Sequence, residues 1–195
     1  MFETTLPPEV RLALAYAPAA QRPLQLAAFA LDSRLAGIAG SAREVLLAQI
    51  KLAWWRERLT EDPGQRPQGE PLLAALAGWS SPLDPLLALI DGWEAMLDPE
   101  EPDLQALASA RGALGRGLAV QAGAPDAAEA AATALRSWSL ATLGECGEMP
   151  AITLPRSLRA LAVLYGLARR RGGQVPLLEG PLALAAAIRI GMIGR

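Results

Sequence analysis

Nearly every apolar residue of this chain recurs at helical spacing, and proline and glycine set the breaks between one run and the next. The runs read "PPEVRLALAYA", "RPLQLAAFALDSRLAGIAG", "SAREVLLAQIKLAWWRERLTED", "PLLAALAGW", "SPLDPLLALIDGWEAML", "PEEPDLQALASARGALGRGLAVQAG", "PDAAEAAATALRSWSLATLGE", "RSLRALAVLYGLARRR" and "GPLALAAAIRIGMIG". No alternating stretch offers a set of strands, and "DPGQRPQGEP" and "CGEMPAITLP" are polar loops. The spacing predicts an all-α, single-domain helical bundle over residues 1–195, without a linker. The two runs within residues 99–145 are expected to form two longer antiparallel helices. At 195 residues the chain can bury a sizeable core, and 52% hydrophobic against 19% charged residues demands one.

Composition excludes several chemistries. There is no histidine, which removes His-based zinc sites, Ser-His-Asp triads and Cys-His dyads. Cys146 is the only cysteine, so no intrachain disulfide forms, and no base stands near it in sequence. A net charge of −2 gives no electrostatic case for nucleic acid. The opening "MFETTLPPEVRLALAYAP" lacks a basic region followed by an apolar one, so no secretory signal is expected. No uncharged apolar run reaches the length of a membrane span; the C-terminal "PLALAAAIRIGMIG" is short and Arg189 interrupts it. A cytoplasmic protein, peripheral at the inner membrane, is the expected location.

The stretch "QIKLAWWRERL" places Trp54 beside Trp55 inside a helical run. Leu46, Ile50, Ala53 and Trp54 share one face, and Trp55 lies about 100° further round. Adjacent tryptophans widen the apolar face until it meets two neighbours, or a neighbour and a cavity. The expectation is a buried Trp54, with Trp55 at a cavity edge or against a second helix. Ser41 and Glu44 have the spacing of a capping box opening this helix.

Asp91 and Glu94 lie one turn apart, as half of a metal site or, more commonly, as a solvated face. Arg56 and Arg58 suit phosphate, or an ion pair to a neighbouring helix. Arg169, Arg170 and Arg171 end a helix, where positive charge complements the dipole and an anionic partner or membrane could bind. Gly112, Gly115 and Gly117 follow no strand, which disfavours a dinucleotide loop and suggests close helix–helix approach.

The stretch "YAPAAQRPLQLAAFALDSRLAGIAGSAREVLLAQIKLAWWRERL" resembles the start of the squalene/phytoene synthase superfamily. It is similar above all to a short branch in which such a helix precedes "Q.RL.WWRE.L", and whose mitochondrial relative is a respiratory complex I assembly factor. "LIDGWEAML", the Trp138 helix, "ITLPRSLRALAVLYGLARR" and "LALAAAIRIGMIGR" follow in the family's order. The resemblance implies the trans-isoprenyl diphosphate synthase fold. Active members join two prenyl diphosphates on Mg²⁺, held by two aspartate-rich motifs on facing helices.

This sequence departs from that pattern. A "YAF.R..DD..D" motif laid on "FALDSRLAGIAG" places its acidic positions on Ala36, Gly37 and Gly40 and its arginine on Ser33, beside Arg34. Asp32 falls one turn early. A second motif on the Trp138 helix puts its glutamine on Trp138 and its asparagine on Ala141. Glu145 and Glu148 then stand near the acidic end, as a remnant or as loop carboxylates. The expected reading is a non-catalytic protein with no catalytic residue, metal site or cofactor, which binds a lipid, an isoprenoid or a respiratory-complex subunit. Its expected guest site lies between residues 22–40, 42–60 and 126–145, near Trp54, Trp55 and Trp138, with Arg34 or Arg56 at the mouth. The alternative is a Mg²⁺-dependent prenyltransferase with a rearranged or partner-completed site.

Overall fold

The computed structural model describes residues 6–41, 44–67, 69–80, 82–145, 147, 149–171, 176–178 and 181–193. Among these it is all-helical, and no strand occurs. Nine α-helices follow in chain order: α1 Pro8–Ala15, α2 Arg22–Ser41, α3 Val45–Thr60, α4 Pro71–Leu76, α5 Asp84–Glu94, α6 Leu104–Gln121, α7 Ala128–Thr142, α8 Arg159–Arg171 and α9 Pro181–Ile193. Cys146 and Glu148 lie outside the described residues. No helix among the described residues is long and apolar enough to cross a membrane.

Proline stands in the first turn of five of these helices, where its missing N–H costs nothing: Pro8 in α1, Pro23 in α2, Pro71 in α4, Pro85 in α5 and Pro181 in α9. Carboxylates cap two starts, α4 again and α6. Glu70 accepts from Leu72 N–H at 3.3 Å ahead of α4, and Asp103 accepts from Ala106 N–H at 2.8 Å ahead of α6. Arg66 closes the far end of α3 by donating to the carbonyls of Leu59, at 2.7 Å, and Glu61, at 3.2 Å.

The expected capping box does not form. α2 runs on through Ser41, whose hydroxyl donates back to the Gly37 carbonyl, and Glu44 enters α3 in an extended conformation without a side-chain cap. A serine in the last turn of one helix is not free to cap the next.

One apolar cluster runs from Leu6 through every helix to Ala187. α6 and α7 are antiparallel and packed closely, because glycine faces backbone. A Cβ on Gly115 would collide with the Ala131 carbonyl, and one on Gly117 would meet Trp79 at 2.7 Å. On the other side of α6, Gly92 of α5 admits the Ala110 methyl. The glycines of "RGALGRG" therefore serve helix packing.

α3 corrects a second expectation. Its buried face is Ala48, Leu52, Trp55 and Leu59, whereas Leu46 is 66% exposed, Ile50 57% and Trp54 38%. Trp55, not Trp54, is the core tryptophan. The stripe 48–52–55–59 stays apolar for three turns, while the stripe through Leu46, Ile50 and Trp54 runs into Glu57 and Arg58. With apolar residues on both sides, helical periodicity alone does not choose between them.

Candidate functional site

α2 carries the face on which the resemblance seeks metal-binding carboxylates. Its inward side is Ala28, Phe29, Leu31, Asp32 and Leu35, all buried. A carboxylate among such neighbours needs a cationic or hydrogen-bonding partner to remain ionised. Three N–H donors reach Asp32, one of them, Arg111 Nε, shared between both oxygens. Arg111 of α6 approaches Oδ2 through Nε at 3.1 Å and Nη2 at 3.0 Å, and Trp93 of α5 donates Nε1–H to Oδ1 at 2.7 Å.

Arg111 is itself buried and nearly saturated. Its Nη1 donates to Ser139 Oγ at 3.1 Å and Thr142 Oγ1 at 3.4 Å on α7. Its guanidinium lies between two indoles, 5.2 Å from the Trp93 ring centre and 4.8 Å from that of Trp138. Phe29 meets Trp138 edge to face with centroids 6.0 Å apart. Four helices, α2, α5, α6 and α7, thus converge on one ion pair. Chemically the arrangement neutralises Asp32 and turns both its oxygens toward protein donors. It is a clamp, in which Phe29 and Arg111 both pack on Trp138. The Trp138 N–H is buried without a hydrogen-bond partner.

The outward side of α2 is different. A cavity of about 680 Å³ opens there, lined by Ser33, Arg34, Gly37, Lys51 and Glu70 among others. Arg34 bonds Glu70 at 3.0 Å and lies 5.8 Å from the Trp55 ring centre. Glu70 thereby joins α2 to the start of α4 while capping it. A Cβ at Gly37 or at Gly40 would meet nothing within 4 Å. These two positions present neither a carboxylate nor bulk.

The residues singled out in the sequence therefore divide. Arg34 lines the α2 cavity and reaches the buried Trp55 ring behind it, and Trp54 packs edge-on against Trp55, centroids 5.3 Å apart. Arg56 is engaged elsewhere, bonding Asp91 at 2.6 Å and Glu94 at 3.3 Å across to α5. That answers the pairing of Asp91 with Glu94: both face an arginine. Trp138 belongs to the interior clamp, and Glu145 is exposed beyond the end of α7. Arg58 is held by Glu57 at 2.9 Å and Glu61 at 2.6 Å; the bond to Glu57 raises its pKa above the ordinary arginine value. No group of three or more Asp, Glu, Cys or His side chains able to hold a metal occurs among the described residues.

Arg111 and Trp93 were not singled out from the sequence. The signal was present: "FALDSRL" and "LASARGALG" each set one charge on an otherwise apolar helix face, and two such charges of opposite sign are candidates for each other.

Nothing matches this chain among curated proteins or among solved structures. The family model for squalene/phytoene synthase matches residues 8–142, which takes in α1 to α7 and with them the clamp and the α2 cavity. That span is well over half of the chain, and the protein belongs to the squalene/phytoene synthase family.

Proposed function

We propose that this chain is a non-catalytic member of its family, which keeps the helical frame and acts by binding. The observation that carries the reading is the fate of Asp32. It is the carboxylate that α2 turns inward, and Arg111 and Trp93 hold both of its oxygens. The positions aligned with the family's first acidic motif are Ala36, Gly37 and Gly40. Two diphosphates need hard oxygen ligands for Mg²⁺ on two facing helices, and this face of α2 offers none.

A binding role is supported by the outer side of α3. Leu46, Ile50 and Trp54 stand one above another at i, i+4 and i+8, exposed, with Leu47 beside them. Such a stripe is the kind of face that a partner's apolar helix covers. The partner class implied by the family resemblance is a subunit of respiratory complex I. The interior clamp favours a surface contact over a lipid held between α2, α3 and α7.

The second reading keeps the chemistry. The cavity beside Gly37 is open and carries Arg34 and Lys51, so a partner subunit supplying carboxylates there would complete a Mg²⁺-dependent prenyltransferase. One assay separates the two. Purified protein incubated with farnesyl or geranylgeranyl diphosphate, Mg²⁺ and NADPH is expected to release no pyrophosphate above background. Metal-dependent release together with a C30 or C40 product overturns the non-catalytic reading. Loss of assembled NADH:quinone oxidoreductase on deleting the gene, restored by the wild type but not by L46S/I50S/W54S, supports the partner class and the α3 face together.

A further inference from the structure

Charge is divided along this chain. Residues 1–150 carry nineteen carboxylates against eleven basic side chains, whereas residues 151–195 carry seven arginines and a single carboxylate, Glu179. The excess gathers where α8 meets α9. Arg159, Arg169, Arg170 and Arg189 line one groove of about 900 Å³, with Ile152 and Ile190 on its apolar wall and no carboxylate among the described residues of its lining. Among the described residues none of these four arginines has a salt-bridge partner; Arg159 donates to the Ile190 carbonyl at 3.5 Å. Four like charges around one groove repel each other unless an anion sits among them.

α9 is also built inside out. Among its described side chains the fully buried ones are small, Ala183 and Ala187, while Leu184 is 56% exposed, Ile188 40% and Met192 73%. At about 100° per residue these three large side chains fall within an arc of roughly 80°, and Arg189 lies next round, toward the groove. A helix serving the core alone places its bulk inward. Here Ile190 packs inward, but three large apolar side chains face out, edged by arginines.

We propose that the α8–α9 end of the molecule docks on an anionic membrane surface. Leu184, Ile188 and Met192 enter the boundary between headgroups and acyl chains, and Arg169, Arg170 and Arg189 bind lipid phosphates along the groove. No described helix can span a bilayer, so the contact is made from one side. Nucleic acid would meet the arginines but leave the apolar arc in water. The surface lies beyond the stretch matched by the family model and does not depend on whether the protein catalyses.

The test is flotation of the full chain with vesicles of phosphatidylcholine alone or of phosphatidylcholine with phosphatidylglycerol. The protein is expected to float with the anionic vesicles only, and less so as salt is raised. R169Q/R170Q should weaken partitioning about fivefold for each arginine lost. L184S/I188S/M192S should abolish it while the circular dichroism and thermal midpoint stay unchanged, since all three side chains are exposed. Absence of binding to anionic vesicles, or equal binding to both kinds, overturns the proposal whatever the variants do. So does loss of binding in the arginine variant alone, which reduces the groove to a simple anion site. Self-association of the free protein that the serine variant abolishes would assign the face to a second copy and overturn the proposal as well.

Discussion

Asp32 and Arg111 stand 79 residues apart in the chain and meet as a buried, bidentate ion pair, with Nε at 3.1 Å and Nη2 at 3.0 Å from one carboxylate oxygen. The pair joins α2 to α6, and its hydrogen bonds to Trp93, Ser139 and Thr142 bring in α5 and α7. A charge this deeply placed is stable only with its partner.

Breaking the pair from one side is therefore expected to be severe. Asp32→Asn leaves Arg111 charged in the interior and should cost about 3–5 kcal/mol in urea unfolding. The double variant D32L/R111M should lose clearly less than the sum of D32L and R111M, because no charge is left unpaired. Additive losses would show that the two residues act independently.

The tryptophan pair should respond unequally. Trp55 is 3% exposed and Trp54 38%. Trp55→Ala is expected to cost about 3–5 kcal/mol as a large-to-small core change. Trp54→Ala forfeits mainly its edge contact with Trp55, worth about 0.5–1.5 kcal/mol. Denaturation midpoints in the reverse order would contradict the burial of α3 described above.

Two helical glycines should move stability in opposite directions. A Cβ at Gly115 strikes the Ala131 carbonyl, and backbone cannot step aside as a side chain can. Gly115→Ala should cost about 1–3 kcal/mol or more through overpacking. At Gly37 the space is open, and Gly37→Ala should raise stability by about 0.5–1 kcal/mol through helix propensity. Thermal melts of the two single variants test both.

Alkaline stability should report on Tyr165. Its hydroxyl donates to the Pro150 carbonyl, tying α8 to the loop after α7, and burial pushes its pKa above the usual tyrosine value, opposed by nearby Arg169. A raised pKa means the fold holds the neutral phenol better than the unfolded chain does. This contribution is whole below the unfolded value of about 10 and is lost as the pH rises past it. Tyr165→Phe should cost about 0.5–1.5 kcal/mol at neutral pH for the missing hydrogen bond, and should flatten that alkaline fall. An unchanged alkaline slope in the variant would remove Tyr165 from the account.

Much was legible in the one-dimensional pattern. Apolar spacing with proline and glycine breaks determines helices along the whole chain, because each run is local and its punctuation chemically explicit. The glycines of "RGALGRG" read as packing residues on the same grounds, and the order of motifs read as the family. What the sequence did not decide was which way each helix faces and which distant charges meet. α3 carries apolar side chains on both sides, and only contact with α2 and α5 selects Trp55 over Trp54 for the core. Ser41 has the chemistry of a cap, but α2 claims it as its own last turn. Asp32 and Arg111 each look like an isolated charge until the folded chain brings α2 and α6 together. Local periodicity sets the helices; long-range burial assigns their faces, because desolvation is settled by neighbours that the chain supplies only when folded.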